Sequence, residues 1–308
     1  MSQEYAIGVD IGGTNVRAGV VGRDGKIFSK KMLRVGDVKT AKQMVGLMGR
    51  LLSMLKIPKK GNIVGIGCGM PGIMDSGEGV IGHSPNFPKW KDVPFKKMLE
   101  AEFGAEVLLD NDANMAAVGE HRWGAAQKWD DFIMITLGTG LGGGIIVDGS
   151  VVQGMRGYAG EVGHMVIERE GWPCGCGSHG CWEQYASSHF FKRRGLGGHE
   201  SEAMAKSGNK AAKDMWREFG QNVGIGIAGL MNNFGITNFV VGGGLARAMP
   251  LFQRAMKAEV KARSYAQNYA KFKVKQSTLI DDAGVLGSAG AFFEVMDWML
   301  FLSAGNAE

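Results

Sequence analysis

A duplicated α/β architecture, two lobes with a cleft, is predicted by three features of this 308-residue chain. Short glycine clusters recur between apolar runs, one strand-turn-strand device occurs twice, and two long helical segments are rich in small residues. The chain holds 50 glycines, about twice the usual share, and they read as tight loops, not as a flexible linker. Its length is enough for two domains of ordinary size, each with a core. The net charge of +5 comes from scattered groups such as KIPKK (56–60), KWKDVPFKK (89–97) and KRR (192–194). These read as solvated faces, so no nucleic-acid partner is expected, and mild basicity suits phosphate-bearing small molecules. The opening MSQEYAIGVD lacks a basic n-region and a long apolar h-region. No apolar run approaches the roughly 20 residues that span a bilayer. A cytoplasmic protein with no membrane partner is expected.

The segment AIGVDIGGTNVRAGVVGRDGKIF (6–28) reads as strand, glycine turn, strand, a hairpin at Asp24-Gly25, and a further strand. The stretch after the glycines is extended, which excludes the dinucleotide fingerprint, whose glycine turn must open a helix. The loop of Gly12, Gly13, Thr14 and Asn15 leaves backbone N–H groups able to converge on an anion. Thr14 adds a hydroxyl, and Asp10 a carboxylate able to hold Mg²⁺ through water. FIMITLGTGLGGGIIVDGSVV (132–152) repeats the arrangement, with Gly138, Thr139 and Gly140 in the turn and Asp148-Gly149 in the hairpin. Two related halves, each offering a glycine loop, describe the actin-like ATPase architecture. A third turn, NFVVGGGLARAM (238–249), comes after a strand and opens a helix. Gly242, Gly243 and Gly244 put no side chain in the way of an adenine or ribose. The segments 211–234 and 281–300 read as helices whose small residues permit close packing.

EVLLDNDANMAAVGEH (106–121) passes from a strand into an alanine-rich helix, with Asp110, Asn111 and Asp112 at the junction, where any of them can be the helix cap. Three of the four cysteines, Cys174, Cys176 and Cys181, lie within eight positions, ten residues after His164. In a reducing cytoplasm such a cluster reads as metal ligands or redox groups, not as structural disulfides.

These residues together resemble the ROK family of repressors, open reading frames and sugar kinases. The motifs run in order along the chain: DIGGTN at 10–15, SPN at 84–86, NDAN at 111–114, LGTGLGGG at 137–144, GEVGH at 160–164, CGCGSHGCWE at 174–183 and VGGG at 241–244. The resemblance implies an actin-like, hexokinase-type (ribonuclease H-like) fold and an ATP-dependent hexose kinase acting on Mg-ATP. It also implies a homodimer or tetramer and a structural zinc site. By the same resemblance the general base is Asp112, and the sugar shell is Gly72, Asn86, Asn111, Asp112, Glu161, His164 and Glu183. A carboxylate at the carboxyl end of a strand can accept the proton of a sugar hydroxyl as its oxygen attacks the γ-phosphoryl. Sugar hydroxyls donate and accept together, so carboxylates, amides and an imidazole suit the pocket.

His164-x₉-Cys-x-Cys-x₄-Cys supplies one nitrogen and three thiolates, the set that tetrahedral Zn²⁺ favours, with no open position. Cys-x-Cys also lacks the two-residue spacer of thioredoxin-like motifs. Zinc would fix His164 with its other nitrogen toward the sugar, and the influence of the metal is expected on the sugar side, not the ATP side. Trp182 stands where an aliphatic residue is expected between Cys181 and Glu183. Likeness of SPNFPKWKDVPF (84–95) and GCWEQYAS (180–187) to glucokinase members points to the 6-hydroxyl of glucose; fructose, mannose and N-acetylhexosamines are the alternatives. The repressor branch carries an N-terminal helix-turn-helix domain, and a phosphate loop at residue 10 is expected to leave it no room. A structural actin-like ATPase would have no use for Glu161, His164 and Glu183. The expected division is a first lobe of 1–112 completed by a helix at 291–308, and a larger second lobe of 113–290 that carries the zinc site.

Overall fold

The computed structural model describes residues 3–84 and 86–305. Pro85 of the SPN motif and residues 306–308 of the expected terminal helix lie outside the described residues. The chain divides into two compact units, Met1–Gln127 with Val151–Ala159 and Asp282–Glu308, and Lys128–Ser150 with Gly160–Asp281. The division thus falls at Gln127 and not at 112, because the helix that starts at Asp112 packs on the C-terminal helix inside the first unit. For the same reason the return to the first unit begins at Asp282, ahead of the expected 291.

In chain order the first unit contains β1 (Gln3–Ile11), β2 (Asn15–Gly22), β3 (Ile27–Arg34), α1 (Ala41–Ser53), β4 (Gly61–Met70), β5 (Ile73–Asp75), β6 (Val80–His83), β7 (Lys91–Val93), α2 (Phe95–Phe103), β8 (Val107–Asn111) and α3 (Asp112–Trp123). The C-terminal helix, Ala283–Gly305, completes it. Its main sheet has the order β3-β2-β1-β4-β8. The first three strands are antiparallel, as the glycine turn and the Asp24-Gly25 hairpin demand, while β4 pairs parallel with β1 and β8 with β4. Burial follows position. The central β1 is covered along most of its length, whereas the edge strand β3 alternates exposed and half-buried residues with the period of two that a one-sided strand requires.

The C-terminal helix lies on β1, β4 and α3. Its small residues let backbones meet: a Cβ on Gly67 would strike the Ser288 carbonyl, and one on Gly287 would strike the Met115 carbonyl of α3. Ser288 Oγ donates to the Val9 carbonyl at 2.9 Å, which ties the helix to the centre of the sheet.

The second unit repeats the sheet with β9 (Phe132–Leu137), β10 (Leu141–Val147), β11 (Ser150–Val151), β12 (Asn238–Gly242) and β13 (Lys273–Gln276) in the order β11-β10-β9-β12-β13. Again the strand after the glycine turn is antiparallel, and the two distant strands are parallel. Its helices are α4 (Trp182–Tyr185), α5 (Ser188–Lys192), α6 (Gly198–Lys206), α7 (Lys210–Phe234), α8 (Met249–Arg263) and α9 (Ala266–Tyr269). The turn after β12 does not open an α-helix directly, because a 3₁₀ turn at Gly244–Ala248 intervenes before α8. Five aromatic side chains, Phe190, Phe191, Trp216, Phe219 and Phe252, are fully buried between α5, α7 and α8. They include a Phe191–Trp216 contact with ring centroids 4.5 Å apart. No helix among the described residues is long and apolar enough to cross a membrane.

The glycines of the first unit separate two effects of the same substitution. Gly287→Ala is expected to lower the melting midpoint, since forcing a methyl into a filled helix contact costs about 1–3 kcal/mol. Gly46→Ala, in the exposed interior of α1 with nothing near its missing Cβ, is expected to raise it, by about 0.5–1 kcal/mol of helix propensity. Circular dichroism melts of both variants decide; a higher midpoint for Gly287→Ala would mean that the C-terminal helix is not seated on α3 as described.

Candidate active site and metal centre

In the first unit the parallel strands run in register, with Asp10 beside Gly69 and Gly69 beside Asp110. Their carboxyl ends therefore deliver three loops along one edge of the sheet: Gly12–Thr14 after β1, Gly72 after β4 and Asn111-Asp112 after β8. Carboxyl ends of parallel strands are where α/β folds place ligands. The first glycine loop is closed by Gly12 N–H donating to the Asn15 carbonyl at 2.9 Å. Asp10 faces its cross-strand neighbour Arg17, whose Nη1 lies 3.0 Å from its carboxylate. Burial pushes the Asp10 carboxyl above its ordinary pKa and Arg17 draws it back. Asn86 is exposed, and its side chain lies 2.9 Å from where a Cβ on Gly13 would stand. The two expected ligand groups are thus neighbours. Gly13 does not have a positive φ, nor does Gly140, so glycine is needed at both for room and not for a left-handed backbone.

The cap of α3 is Asn111. Its side-chain oxygen accepts from Ala113 N–H at 2.8 Å and Asn114 N–H at 3.4 Å, and its Nδ2 donates to the Gly72 carbonyl at 3.4 Å. Asp112, partly exposed, opens the helix and accepts from Ala113 N–H at 2.9 Å, where the helix dipole favours negative charge. Asp110 has a different environment. Only 7% exposed, its Oδ1 accepts from Asn111 N–H at 2.6 Å and Asn114 Nδ2 at 3.1 Å, and its Oδ2 from Gln153 Nε2 at 2.7 Å. The Ser76 hydroxyl sits between Asp110 Oδ1 and Gln153 Oε1, at 3.3 and 3.2 Å. With donors on both oxygens, the Asp110 carboxylate anchors the β8–α3 junction. Ser76 and Gln153 carry no motif signal in the sequence.

In the second unit the ligand atoms of His164, Cys174, Cys176 and Cys181 all lie within 4.8 Å of one another. Cys176 Sγ is 3.6 Å from Cys181 Sγ, and Cys174 Sγ is 3.6 Å from His164 Nδ1. Zinc–sulfur bonds of about 2.3 Å in a tetrahedron set sulfur atoms roughly 3.8 Å apart. The donor set and its spacing therefore fit Zn²⁺. Crowding has an electrostatic cost without a cation: burial, together with the neighbouring Cys176 and Cys174, pushes the Cys181 thiol up to about 12. With Nδ1 toward the thiols, His164 turns Nε2 toward Glu161, 3.8 Å away. Burial raises the Glu161 carboxyl, His164 opposes that shift, and Glu183 adds to it.

Trp182 takes no part in this cluster. It is fully buried, its ring lies against Gly226 of α7, and its Nε1 donates to the Asn222 carbonyl at 2.8 Å. The large side chain at that position anchors the metal segment from behind. Glu183 is oriented otherwise, with Oε2 accepting from Leu141 N–H at 3.1 Å. Ser188 adds two bonds to the same loop, N–H to the Gly138 carbonyl at 2.9 Å and Oγ to the Thr139 carbonyl at 3.1 Å. The segment that carries the His/Cys cluster is thus bonded to the second glycine loop as well as to the sugar-shell candidates. A Cβ on Gly140 would strike Glu183 Oε2. At the third turn, Gly243 has φ +83 and backs onto Leu137, and Gly242 backs onto Met134. Gly244 is open, with nothing near its missing Cβ.

One zinc per chain is expected by elemental analysis of the purified protein. Cys176→Ser is expected to lose zinc and, because the segment carries both Glu183 and Ser188, to weaken sugar and nucleotide binding together by about 10- to 100-fold. Zinc-free wild-type protein would remove the metal reading.

Residues 6–294 match the model of the ROK family. Glucokinase of Streptomyces coelicolor is 34% identical, the alignment covering 92% of this chain and 96% of that protein. The xylose repressor of Bacillus subtilis is 27% identical, with 92% of this chain and 75% of the repressor aligned. The crystal structure of a ROK family glucokinase from Streptomyces griseus, in complex with glucose and AMPPNP, superposes with a TM-score of 0.81 at 33% identity, covering 92% of this chain and 98% of that one. By sequence, ordered motifs and actin-like fold, the chain belongs to the ROK family.

Proposed function

We propose that this protein is an ATP-dependent hexose kinase that transfers the γ-phosphoryl group of Mg-ATP to the 6-hydroxyl of glucose. The observation that carries the reading is the division of labour between two nearby aspartates at the end of β8. Asp110 is buried and bonded on both oxygens, whereas Asp112 stands at the helix N-terminus, partly exposed, beside a capping asparagine that reaches Gly72. Asp112 is the general base. As the sugar oxygen forms its bond to the γ-phosphorus and the bond to the bridging oxygen breaks, the hydroxyl proton passes to the Asp112 carboxylate and the electron pair leaves with ADP. Asn111, Asn86, Glu161, His164 and Glu183, with Gly72 beneath the ring, orient the sugar. Gly12–Asn15, Gly138–Gly140 and Gly242–Gly244 present backbone to the nucleotide, and Asp10, paired with Arg17, would hold the Mg²⁺ of Mg-ATP.

Zinc on His164, Cys174, Cys176 and Cys181 supplies a structural crosslink. The chain's own residues do the rest: His164 turns Nε2 toward the sugar shell, and Glu183 and Ser188 hold the glycine loop. Likeness to glucokinases supports glucose over fructose, mannose and N-acetylhexosamines, and the family resemblance supports a homodimer or tetramer. Three free thiols in one cluster suit a reducing cytoplasm. The xylose repressor among the relatives keeps one second reading in view, a sugar-binding protein without phosphoryl transfer. A coupled ADP-release assay over glucose, fructose, mannose, N-acetylglucosamine and N-acetylmannosamine separates the two. Glucose-dependent ADP release is expected, and silence with every sugar would overturn the kinase reading.

Asp112→Asn is expected to keep sugar binding and lower kcat by about 10²- to 10⁴-fold, the range of a lost general base. Asp110→Asn is expected to lower the melting midpoint as well as kcat, because an amide nitrogen then faces donors. If Asp112→Asn retains more than about a tenth of kcat, the base lies elsewhere. Gly13→Val and Gly140→Val are expected to raise KM for ATP. They should also disturb KM for the sugar, because the added carbons meet Asn86 and Glu183; unchanged steady-state kinetics in both would mean plain hairpins.

A further inference from the structure

Gln184 comes directly after a sugar-shell candidate in sequence and is 3% exposed, an environment in which a primary amide must have partners at both ends. Chemistry tells the two ends apart. The Arg193 guanidinium can only donate, and its Nη2 lies 2.8 Å from Gln184 Oε1, so the carbonyl end faces Arg193. The NH₂ end then faces the opposite way, 3.6 Å from Cys174 Sγ and 3.5 Å from Glu183 Oε1. Both are acceptors when ionised. Arg193 is itself held in place: it lies over the Trp172 ring at 4.8 Å and donates to the Pro173 carbonyl at 3.4 Å. Trp172 stacks on Tyr185 with centroids 4.5 Å apart and planes 5° from parallel, and its backbone N–H donates to the Tyr185 hydroxyl at 2.9 Å. Turning the amide over would set NH₂ against guanidinium and leave the thiolate and the carboxylate facing an oxygen.

The other oxygen of Glu183 accepts from Leu141 N–H, the residue just after the second glycine turn. One bonded line therefore runs from Cys174 through Gln184 and Glu183 to Leu141. We infer that Gln184 is a positioning residue that couples metal occupancy of the His164, Cys174, Cys176, Cys181 cluster to the placement of the second glycine loop, and hence to nucleotide affinity. The inference rests on the reading of that loop as a nucleotide site. Physically, one NH₂ group stands between two anions. Its removal exposes the Cys174 thiolate and the Glu183 carboxylate to each other, which weakens the ligand at one end and frees the loop at the other.

The test uses the purified, zinc-loaded protein and needs no sugar. Gln184→Glu keeps the length and the Arg193 pairing but cannot donate, and it sets a third negative charge beside the two. Zinc release to a chromogenic chelator is expected to be about 10- to 100-fold faster than from wild type, with ADP binding by calorimetry weakened by about tenfold or more, in the range of a lost outer-shell partner. The thermal midpoint should stay close to wild type. Should Gln184→Glu not fold, Gln184→Met, which adds no charge, carries the same expectation. Zinc release and ADP affinity both unchanged would overturn the inference, and faster zinc release with unchanged ADP affinity would overturn the coupling. Wild type that binds no ADP would defeat the nucleotide reading and the coupling with it, whereas normal ADP binding with no sugar phosphorylated would defeat the kinase reading alone.

Discussion

A carboxylate drawn away from water must be met by donors, and in each unit one such carboxylate sets the local geometry of the candidate site. In the first unit the carboxylate is Asp110. Its partners come from the start of α3, from the loop after β5 and from the returning segment at 151–159. Satisfying it fixes where β8 stops and where α3 begins. Asn111 and Asp112 inherit their positions from that junction. In the second unit it is the half-buried Glu183, which takes the Leu141 N–H just after the glycine turn on one oxygen and the Gln184 amide on the other. A neutral hydrogen bond is worth only about 1 kcal/mol net, but a buried charge left without its donor costs several times that. The bonds therefore matter less as a sum of stability than as a constraint on geometry.

The duplicated sheet was legible because its signal is local. A glycine turn between two apolar strands, with an Asp-Gly hairpin after the second, dictates three antiparallel strands with side chains of period two, and both copies adopt that order. The long helices were legible for the same reason: small residues at helical spacing allow the backbone contact that Gly287 makes with α3. The gathering of His164, Cys174, Cys176 and Cys181 was legible from spacing and from the chemistry of thiols and imidazole. The unit boundary was not. Nothing near residue 112 distinguishes a helix that continues one unit from a helix that opens the next. What decides is the contact of α3 with a helix more than 160 residues later in the chain, and no local pattern carries it.

The same distinction separates the site residues that sequence reasoning placed from those it missed. Glycines, cysteines and the junction at 110–112 announce themselves by type. Gln153, Ser76, Gln184 and Ser188 do not, because an amide or hydroxyl is common on any surface and gains meaning only from what it touches. Their positions depend on tertiary packing. The metal segment, for instance, is pinned from behind by Trp182 in the notch at Gly226 and by Phe190 and Phe191 in the aromatic core. The third glycine turn is the opposite case, a conspicuous residue type whose reason lies in packing. Gly243, with φ +83, meets the Leu137 backbone of β9, and Gly244 has open space where its Cβ would be.

Charge explains why the residue between the metal cluster and Glu183 is an amide. With a divalent cation bound, three thiolates would carry a net charge of minus one, and Glu161 and Glu183 bring two further carboxylates into the same neighbourhood. Burial raises the Glu161 carboxyl and Glu183 raises it further, with His164 as the opposing influence. An acid at position 184 would deepen that negative field, and a lysine would compete for the thiolates with a strongly hydrated point charge. A neutral amide can donate to thiolate and carboxylate at once, and its oxygen gives Arg193 a partner without drawing the guanidinium toward the metal. Arg193 in turn rests on the Trp172 ring, where its charge is offset by the aromatic face. The segment thus sets the Arg193 guanidinium on the far side of the Gln184 amide from Cys174 Sγ.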